Sequence, residues 1–196
     1  MDTPPRLERS PNDALTLTVG VTALTAPALH SLTDALEWLQ HGFTSAQLWI
    51  NYIAFLPMPW LLLGLYAVQP RRPGVFALIG ALLSGAAFTY FAHTTLYALT
   101  ERIANYEALW ERLDGIYTAH GALMVCGGVM FSWSSLRGGS LPKGAVLLFL
   151  AGILINLVLA LLHAPDILQT IGSTARNLGL MIMGYAVLCQ RRQTAA

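Results

Sequence analysis

Hydrophobic residues along this chain fall into six long runs that are separated by short polar segments. The runs cover about 13–30, 46–68, 74–99, 116–136, 143–163 and 174–190. A helix of roughly 20 apolar residues crosses the hydrocarbon layer of a membrane, about 30 Å thick. The first run is the weakest, because it is short, rich in threonine and interrupted by Pro27. The pattern predicts an all-α, six-span transmembrane helix bundle, a single domain over residues 13–190 between polar tails 1–12 and 191–196.

Two of the connecting segments alternate polar and apolar residues at helical spacing. In residues 31–41, Leu32, Leu36 and Leu39 share one side of a helix, and acidic residues lie on the other. Residues 101–114 repeat the pattern with a second group of acidic residues. An amphipathic helix of this kind lies in the membrane interface with its apolar side down. The sequence therefore predicts two short amphipathic interfacial helices on the outer face.

The composition supports a lipid environment. Hydrophobic residues make up 55% of the 196 residues and charged residues only 11%, whereas soluble domains carry about 25% charge. The net charge of +1 gives no reason to expect a nucleic-acid partner. We therefore interpret the chain as a multi-pass membrane protein with the lipid bilayer as its surroundings.

The basic residues indicate an orientation. Eight of the 11 lysines and arginines lie in the tails or in alternate connections: Arg6, Arg9, Arg71, Arg72, Arg137, Lys143, Arg191 and Arg192. Because positively charged connections stay in the cytoplasm, both termini are expected there. We interpret the chain as a protein of the inner membrane of a bacterium.

The stretch "HSLTDALEWLQH" contains two imidazoles and two carboxylates, on His30, Asp34, Glu37 and His41. At about 100° per residue these four side chains fall within roughly 60° of one another on a helix. They could hold a metal ion, or they could form the water-facing side of the interfacial helix. We favour the water-facing interpretation, because the amphipathic helix already explains the spacing, and keep the four residues as a second metal set.

Two further histidines, His93 and His120, lie within predicted spans, less than about 10 Å from the outer end of each. Ionisable groups in spans usually face the bundle interior or a wet cavity. We therefore predict an outward-facing pocket that binds a small molecule or cofactor. Its candidate residues are His93, His120, His163, Tyr97, Tyr117 and Asn156. The alternative is that each histidine lies near the interface and bonds to a neighbouring hydroxyl or carbonyl.

If a metal ion binds, His93 and His120 are the first candidate ligands, and the same two imidazoles could be axial ligands of a haem. On this hypothesis these two residues matter more than His30 and His41, which are expected to reach water. No motif specific to an enzyme class occurs, so the sequence leaves open whether the protein is an enzyme. Two other functions stay open: a transporter or channel subunit, and an accessory structural subunit.

Helix shape and packing give further expectations. Pro57 and Pro59 lie inside the second run and should bend that helix, because proline removes a backbone donor. Small residues within spans predict close approach of helices. Those residues are Gly80, Ser84, Gly121 and Gly128.

The stretch "SSLRGGSLPKGAVLLFLAGILINLVLALL" resembles a pattern seen in small six-helix bacterial integral membrane proteins of unknown function. In those proteins an Arg-x-Gly-x-x-Pro turn links two spans, and a glycine-containing hydrophobic helix follows. Arg137, Gly139, Pro142 and Gly152 carry the resemblance here. It implies the same topology over most of the chain and no particular chemistry.

Overall fold

The computed structural model describes residues 11–71, 73–162, 164 and 166–195. In this part of the chain it contains seven helices and no strand, which confirms the all-α prediction. They are α1 (Pro11–Gln40), α2 (Ser45–Phe55), α3 (Met58–Ala67), α4 (Val75–Thr100), α5 (Tyr106–Gly138), α6 (Lys143–Leu161) and α7 (Asp166–Ala195). Side chains at helix starts fix two boundaries: Thr44 caps α2 by accepting from the Gln47 N–H, and Asn105 caps α5 by accepting from the Ala108 N–H.

The helices form a closed ring in which each packs on the next in the sequence, and α7 returns to pack on α1. The two terminal helices run antiparallel, since Gly20 of α1 lies against Gly184 of α7, and Ser31 bonds to Asn177 further along. The start of α1 and the end of α7 therefore lie at one end of the bundle, which we call the terminal end. The connections 41–44 and 101–105 lie at the opposite, distal end, where the Phe43 N–H donates to the Ala104 carbonyl at 2.7 Å.

Within the described residues, five helical segments are long and apolar enough to cross a membrane. These are Asp13–Gln40, Ser45–Ala67, Val75–Thr100, Tyr106–Gly138 and Lys143–Leu161. Helix α7 is as long as α1 but less apolar, because it carries buried polar residues such as Arg176 and Asn177. The fold is a helical membrane bundle, and the sixth span stays a prediction.

The predicted bend in the second span is confirmed as a break between two helices. Helix α2 ends at Phe55 and α3 begins at Met58, with Pro57 at its N-cap and Pro59 in its first turn. The proline nitrogens cannot donate to the preceding turn, which interrupts the hydrogen-bond ladder. At the start of α3, the Pro59 carbonyl lies against Gly85 of α4, where the absence of a side chain leaves room for it.

The prediction of a separate interfacial helix over 31–41 is wrong. Residues 31–40 are the last turns of α1, which continues through Pro27 without a break. The apolar side still points away from the bundle, with Leu32 and Leu39 50% and 70% exposed. The polar side faces inward, where other helices supply partners. The second predicted segment is helical only from Tyr106, where α5 begins, and residues 101–105 are the connection before it. Non-helical backbone angles at Leu113 set this first part of α5 off from the rest of the helix.

Large apolar side chains fill the interior of the bundle from its middle to the terminal end. The largest that are fully buried are Phe88, Phe131, Phe149, Met58, Leu62, Leu65, Leu180 and Met183. Such packing excludes water and leaves few voids. Among the described residues, the buried ionisable side chains lie towards the distal end instead: His30, His120 and Arg176.

The small residues bring α4 and α5 into close contact. A side-chain carbon on Gly80 would lie 2.5 Å from the Phe131 nitrogen, and one on Gly127 would lie 2.6 Å from the Ser84 hydroxyl. Gly128 lies against the Ile153 side chain of α6. Close packing is thus confirmed at Gly80, Ser84 and Gly128. The prediction of close packing is wrong at Gly121, because no atom lies within 4 Å of the position that a side-chain carbon would take there.

We expect Gly80→Ala to lower the free energy of unfolding by about 1–3 kcal/mol, because the added methyl group meets backbone that cannot move aside. Gly121→Ala is the matched control in the neighbouring helix. It should be neutral or stabilising by up to about 1 kcal/mol, since alanine favours a helix over glycine. Denaturant titration of the purified proteins measures both effects. Equal effects of the two substitutions would contradict the packing described here.

Candidate binding cavity

A cavity of about 330 Å³ opens at the distal end of the bundle, at the lower end of the range for small-molecule sites, about 300–1,000 Å³. His41, Asn105 and Glu107 lie at its rim, and His30 and Arg176 lie at its floor. His30 is ten residues before the end of α1, which places the floor roughly 15 Å below the rim. The cavity therefore reaches about a third of the way along α1 and ends above the apolar core.

The floor is organised around Arg176 of α7, which is 3% exposed. One terminal nitrogen of its guanidinium lies 3.1 Å from His30 Nε2, and its Nε donates to Asn177 Oδ1 at 3.4 Å. The Phe88 and Phe91 rings lie 5.7 and 5.9 Å from the guanidinium carbon. In the described part of the chain, no carboxylate oxygen lies within 4.0 Å of this guanidinium. A buried cation is thus held mainly by neutral groups.

The hydrogen bonds of His30 define its protonation. Because a guanidinium can only donate, His30 Nε2 must accept from Arg176 and carries no hydrogen. The hydrogen is then on Nδ1, which donates to Asn51 Oδ1 at 3.0 Å and lies 3.5 Å from Asp34 Oδ1. The imidazole is therefore neutral, with Arg176 on one side and Asp34 on the other.

A second layer of polar contacts holds the helices around this floor. Asn177 donates through Nδ2 to the Ser31 hydroxyl at 2.9 Å, which ties α7 to α1. The Thr33 hydroxyl lies 2.8 Å from the His30 carbonyl and 3.1 Å from Asn51 Oδ1. Gln47 of α2 donates to the Thr33 carbonyl at 3.3 Å. These contacts fix the positions of α1, α2 and α7, and with them the orientation of His30 and Arg176.

Asn156 brings α6 into the cavity wall. Its side-chain nitrogen donates to the Ser173 hydroxyl at 3.3 Å, and both residues line the cavity. The amide oxygen lies against Gly172 of α7, so closely that a side chain at that position would overlap it. Gly172 is therefore required for Asn156 to reach the cavity.

The charges in the cavity are segregated by depth. Three carboxylates line it, on Asp34, Glu37 and Glu107, and Arg176 is the single lysine or arginine among its described lining residues. Asp34 is one helical turn above His30, and Glu37 and Glu107 lie nearer the rim. The cavity thus has a positive floor and a negative upper wall.

The structure brings some of the predicted pocket residues together and separates others. Tyr117 and Asn156 line the cavity. His120 is buried behind it, 4.2 Å from the Phe91 ring and 4.7 Å from the Tyr117 ring by centroids, and its Nδ1 lies 3.0 Å from the Ile116 carbonyl. The contact with the Ile116 carbonyl agrees with the alternative left open by the sequence, in which a histidine bonds to a neighbouring hydroxyl or carbonyl.

His93 and Tyr97 lie elsewhere. His93 is exposed on α4, in a shallow depression with Ala86, Thr89 and Tyr90. It shares no cavity with His120, so the structure does not support one metal ion or haem held by both. Tyr97 packs at the edge of a small apolar cluster around Leu48. His163 lies outside the described residues.

The second metal set has a different outcome. His30, Asp34, Glu37 and His41 all line the cavity, so this side of the helix faces inward at His30 and reaches the open rim at His41. His41 is exposed there, as the water-facing interpretation predicts. His30, expected to reach water, is 7% exposed. Among the described residues, no three or more His, Cys, Asp or Glu side chains are placed to hold a metal ion.

Sequence reasoning missed Arg176, Asn177 and Asn51. Arg176 lies near the start of the sixth predicted span, about 174–190. It is nevertheless an ionisable residue inside an apolar run, the same signal that drew attention to His93 and His120. Applying that rule to arginine as well as histidine would have identified it.

The fold and the cavity together define a class: a helical membrane protein with a polar cavity at one end. Neither a protein-family model, nor a curated protein, nor a solved structure matches this chain.

Proposed function

We propose that this chain is a multi-pass membrane protein that binds a small molecule in the distal cavity. The observation that carries the proposal is the buried guanidinium of Arg176 at the cavity floor, without a carboxylate in contact among the described residues. Removing a charge from water costs several kcal/mol unless a partner compensates it. Ionisable groups inside a membrane usually serve a ligand or ion site. A bound molecule that accepts hydrogen bonds would supply the missing partner.

Filling the cavity tests this function. Thr95 lines the cavity and Thr89, six residues earlier on α4, does not; both hydroxyls donate to the carbonyl four residues before. We expect a panel of small polar compounds to contain at least one that raises the melting temperature of the wild type saturably. Thr95→Trp should abolish that shift and Thr89→Trp should preserve it.

A second blocking variant, Ser173→Met on the opposite wall, gives the answer if Thr95→Trp does not fold. A shift that survives in the blocking variants would overturn the cavity as the binding site. A panel without any saturable shift would overturn the function itself.

We further propose that the protein lies in the inner membrane of a bacterium, with six spans, both termini in the cytoplasm and the cavity open to the outside. The bias of basic residues towards the terminal end supports this orientation. In a variant with Cys126 and Cys189 replaced by alanine, an impermeant maleimide should label Glu107→Cys in intact cells. The same maleimide should label Arg71→Cys only after the cells have been permeabilised. Labelling of position 71 in intact cells would reverse the orientation.

Transport is the second candidate, favoured by the break between α2 and α3. Phe55, the last residue of α2, lines the cavity, so the interrupted helix lies beside the cavity floor. Transporters often place discontinuous helices at a binding site near the middle of the membrane. Proteoliposomes loaded with a compound from the panel should then exchange it with labelled compound outside, and Thr95→Trp proteoliposomes should not. Binding without exchange would leave the protein a receptor.

A further inference from the structure

The floor of the cavity has the chemistry of an anion site. A guanidinium has five N–H donors arranged to grip a carboxylate with two parallel hydrogen bonds. Among the described residues, Arg176 uses one terminal nitrogen towards His30 and its Nε towards Asn177. Donor positions therefore stay available in a residue that lines the cavity and is 3% exposed. A planar carboxylate, or another oxyanion of similar size, fits this position.

The upper wall has the opposite preference. Asp34, Glu37 and Glu107 place negative charge above the floor, and the aromatic rings of Trp38, Tyr106 and Tyr117 line the same part of the cavity. Carboxylates and aromatic faces both attract an ammonium group. An anion alone would have to pass and lie beneath these carboxylates, which disfavours a ligand that carries negative charge only.

The imidazole of His30 keeps the two charged regions apart. Its Nε2 lies 3.1 Å from Arg176 and its Nδ1 lies 3.5 Å from Asp34 Oδ1. The neutral ring therefore stands between cation and carboxylate and prevents them from neutralising each other in direct contact. A ligand that reaches both must carry its own charges at a comparable separation.

We propose that the cavity binds a zwitterion, with its carboxylate or other oxyanion on Arg176 and its ammonium group facing Asp34 and the rim. This assignment rests on the proposed function and adds the ligand's chemical class. Free ω-amino carboxylates have this chemistry, and so does the headgroup of phosphatidylethanolamine. A ligand whose ammonium and carboxylate groups are several bonds apart suits the site better than glycine, in which a single carbon separates them.

Thermal-shift titration of the full-length protein in nanodiscs of phosphatidylglycerol tests the assignment. The probes are 4-aminobutanoate, glycine, butanoate and butylamine, and, in a separate arm, phosphatidylethanolamine added to the nanodiscs. We expect 4-aminobutanoate to stabilise the protein at concentrations at least about tenfold below those needed for the three other soluble probes. Stabilisation by phosphatidylethanolamine in place of 4-aminobutanoate would support the same chemistry from a lipid source.

Two variants connect the effect to the floor and the wall. Arg176→Lys keeps the charge but loses the pair of parallel hydrogen bonds. It should raise the concentration of the effective probe that is needed for stabilisation by about tenfold or more, and Asp34→Asn should do the same. Arg112→Lys and Asp114→Asn, exposed on α5 and outside the cavity lining, are the matched controls and should leave the titration unchanged.

The outcomes separate this assignment from the function on which it rests. Equal stabilisation by butanoate or by butylamine would overturn the zwitterion while leaving a binding cavity. Stabilisation by panel compounds without a zwitterionic character, lost in Thr95→Trp, would do the same. No response to any compound, in the wild type as in the variants, would overturn both.

Discussion

Replacement of Asp34 by asparagine is expected to lower the free energy of unfolding by about 2–3 kcal/mol. The change leaves Arg176 as a buried cation without the carboxylate on the other side of the His30 ring, and an uncompensated buried charge is strongly destabilising. Asp34 is not in direct contact with the guanidinium, so the loss should be smaller than the 3–5 kcal/mol typical of a broken buried pair. Denaturant titration in detergent gives the value, and exposed Asp114→Asn should change it by less than about 0.5 kcal/mol.

The double variant Asp34→Asn with Arg176→Met makes this expectation sharper. Removing both charges removes the cost of keeping Arg176 out of water, so the double variant should recover most of the stability that Asp34→Asn loses. A coupling of at least about 1 kcal/mol between the two positions should result. Simple additivity would show that Asp34 and Arg176 do not compensate each other across the His30 ring.

His30→Ala should be the most damaging of the described histidine substitutions at the distal end, with a loss of about 2–4 kcal/mol. It removes a buried ring, takes the acceptor away from Arg176 and leaves Asn51 without its imidazole partner. His93→Ala is the control, because that ring is exposed on α4. It should shift the free energy of unfolding by less than about 0.5 kcal/mol.

This order is the reverse of the one that the sequence predicts, in which His93 matters and His30 reaches water. A loss in His93→Ala as large as that in His30→Ala would restore the original hypothesis. The measurement is the same denaturant titration, which allows these variants, and Arg176→Met alone for the coupling, to be compared under one condition.

The helical bundle could be predicted from the sequence because span length and hydropathy are properties of single segments. The break at Pro57 was predictable for the same reason, since proline acts on its own backbone. The direction in which a polar stripe faces is different, because it depends on what the neighbouring helix offers. The stripe from His30 to His41 would suit water as well as it suits Asn51 and Arg176.

The pairing of the histidines failed for a related reason. Similar depth on adjacent helices places His93 and His120 near one another along the membrane normal but does not fix the rotation of either helix. In the structure α4 turns Phe91, Thr94 and Thr95 towards the cavity, which leaves His93 on the outside. Rotation is set by packing, here by the close contact of Gly80 with α5, and a single sequence does not reveal which small residues meet.

The closure of the ring between α1 and α7 has a consequence for biogenesis. Helix α1 is synthesised before α7, so the partners of His30 and Ser31 emerge after all the intervening helices. Until then, the side of α1 that carries Asp34 has no arginine to face. A nascent chain must therefore shelter this side among the intermediate helices, in the translocation machinery or in interfacial water. A chain truncated before residue 166 would lack the partners that Arg176 and Asn177 give to His30 and Ser31.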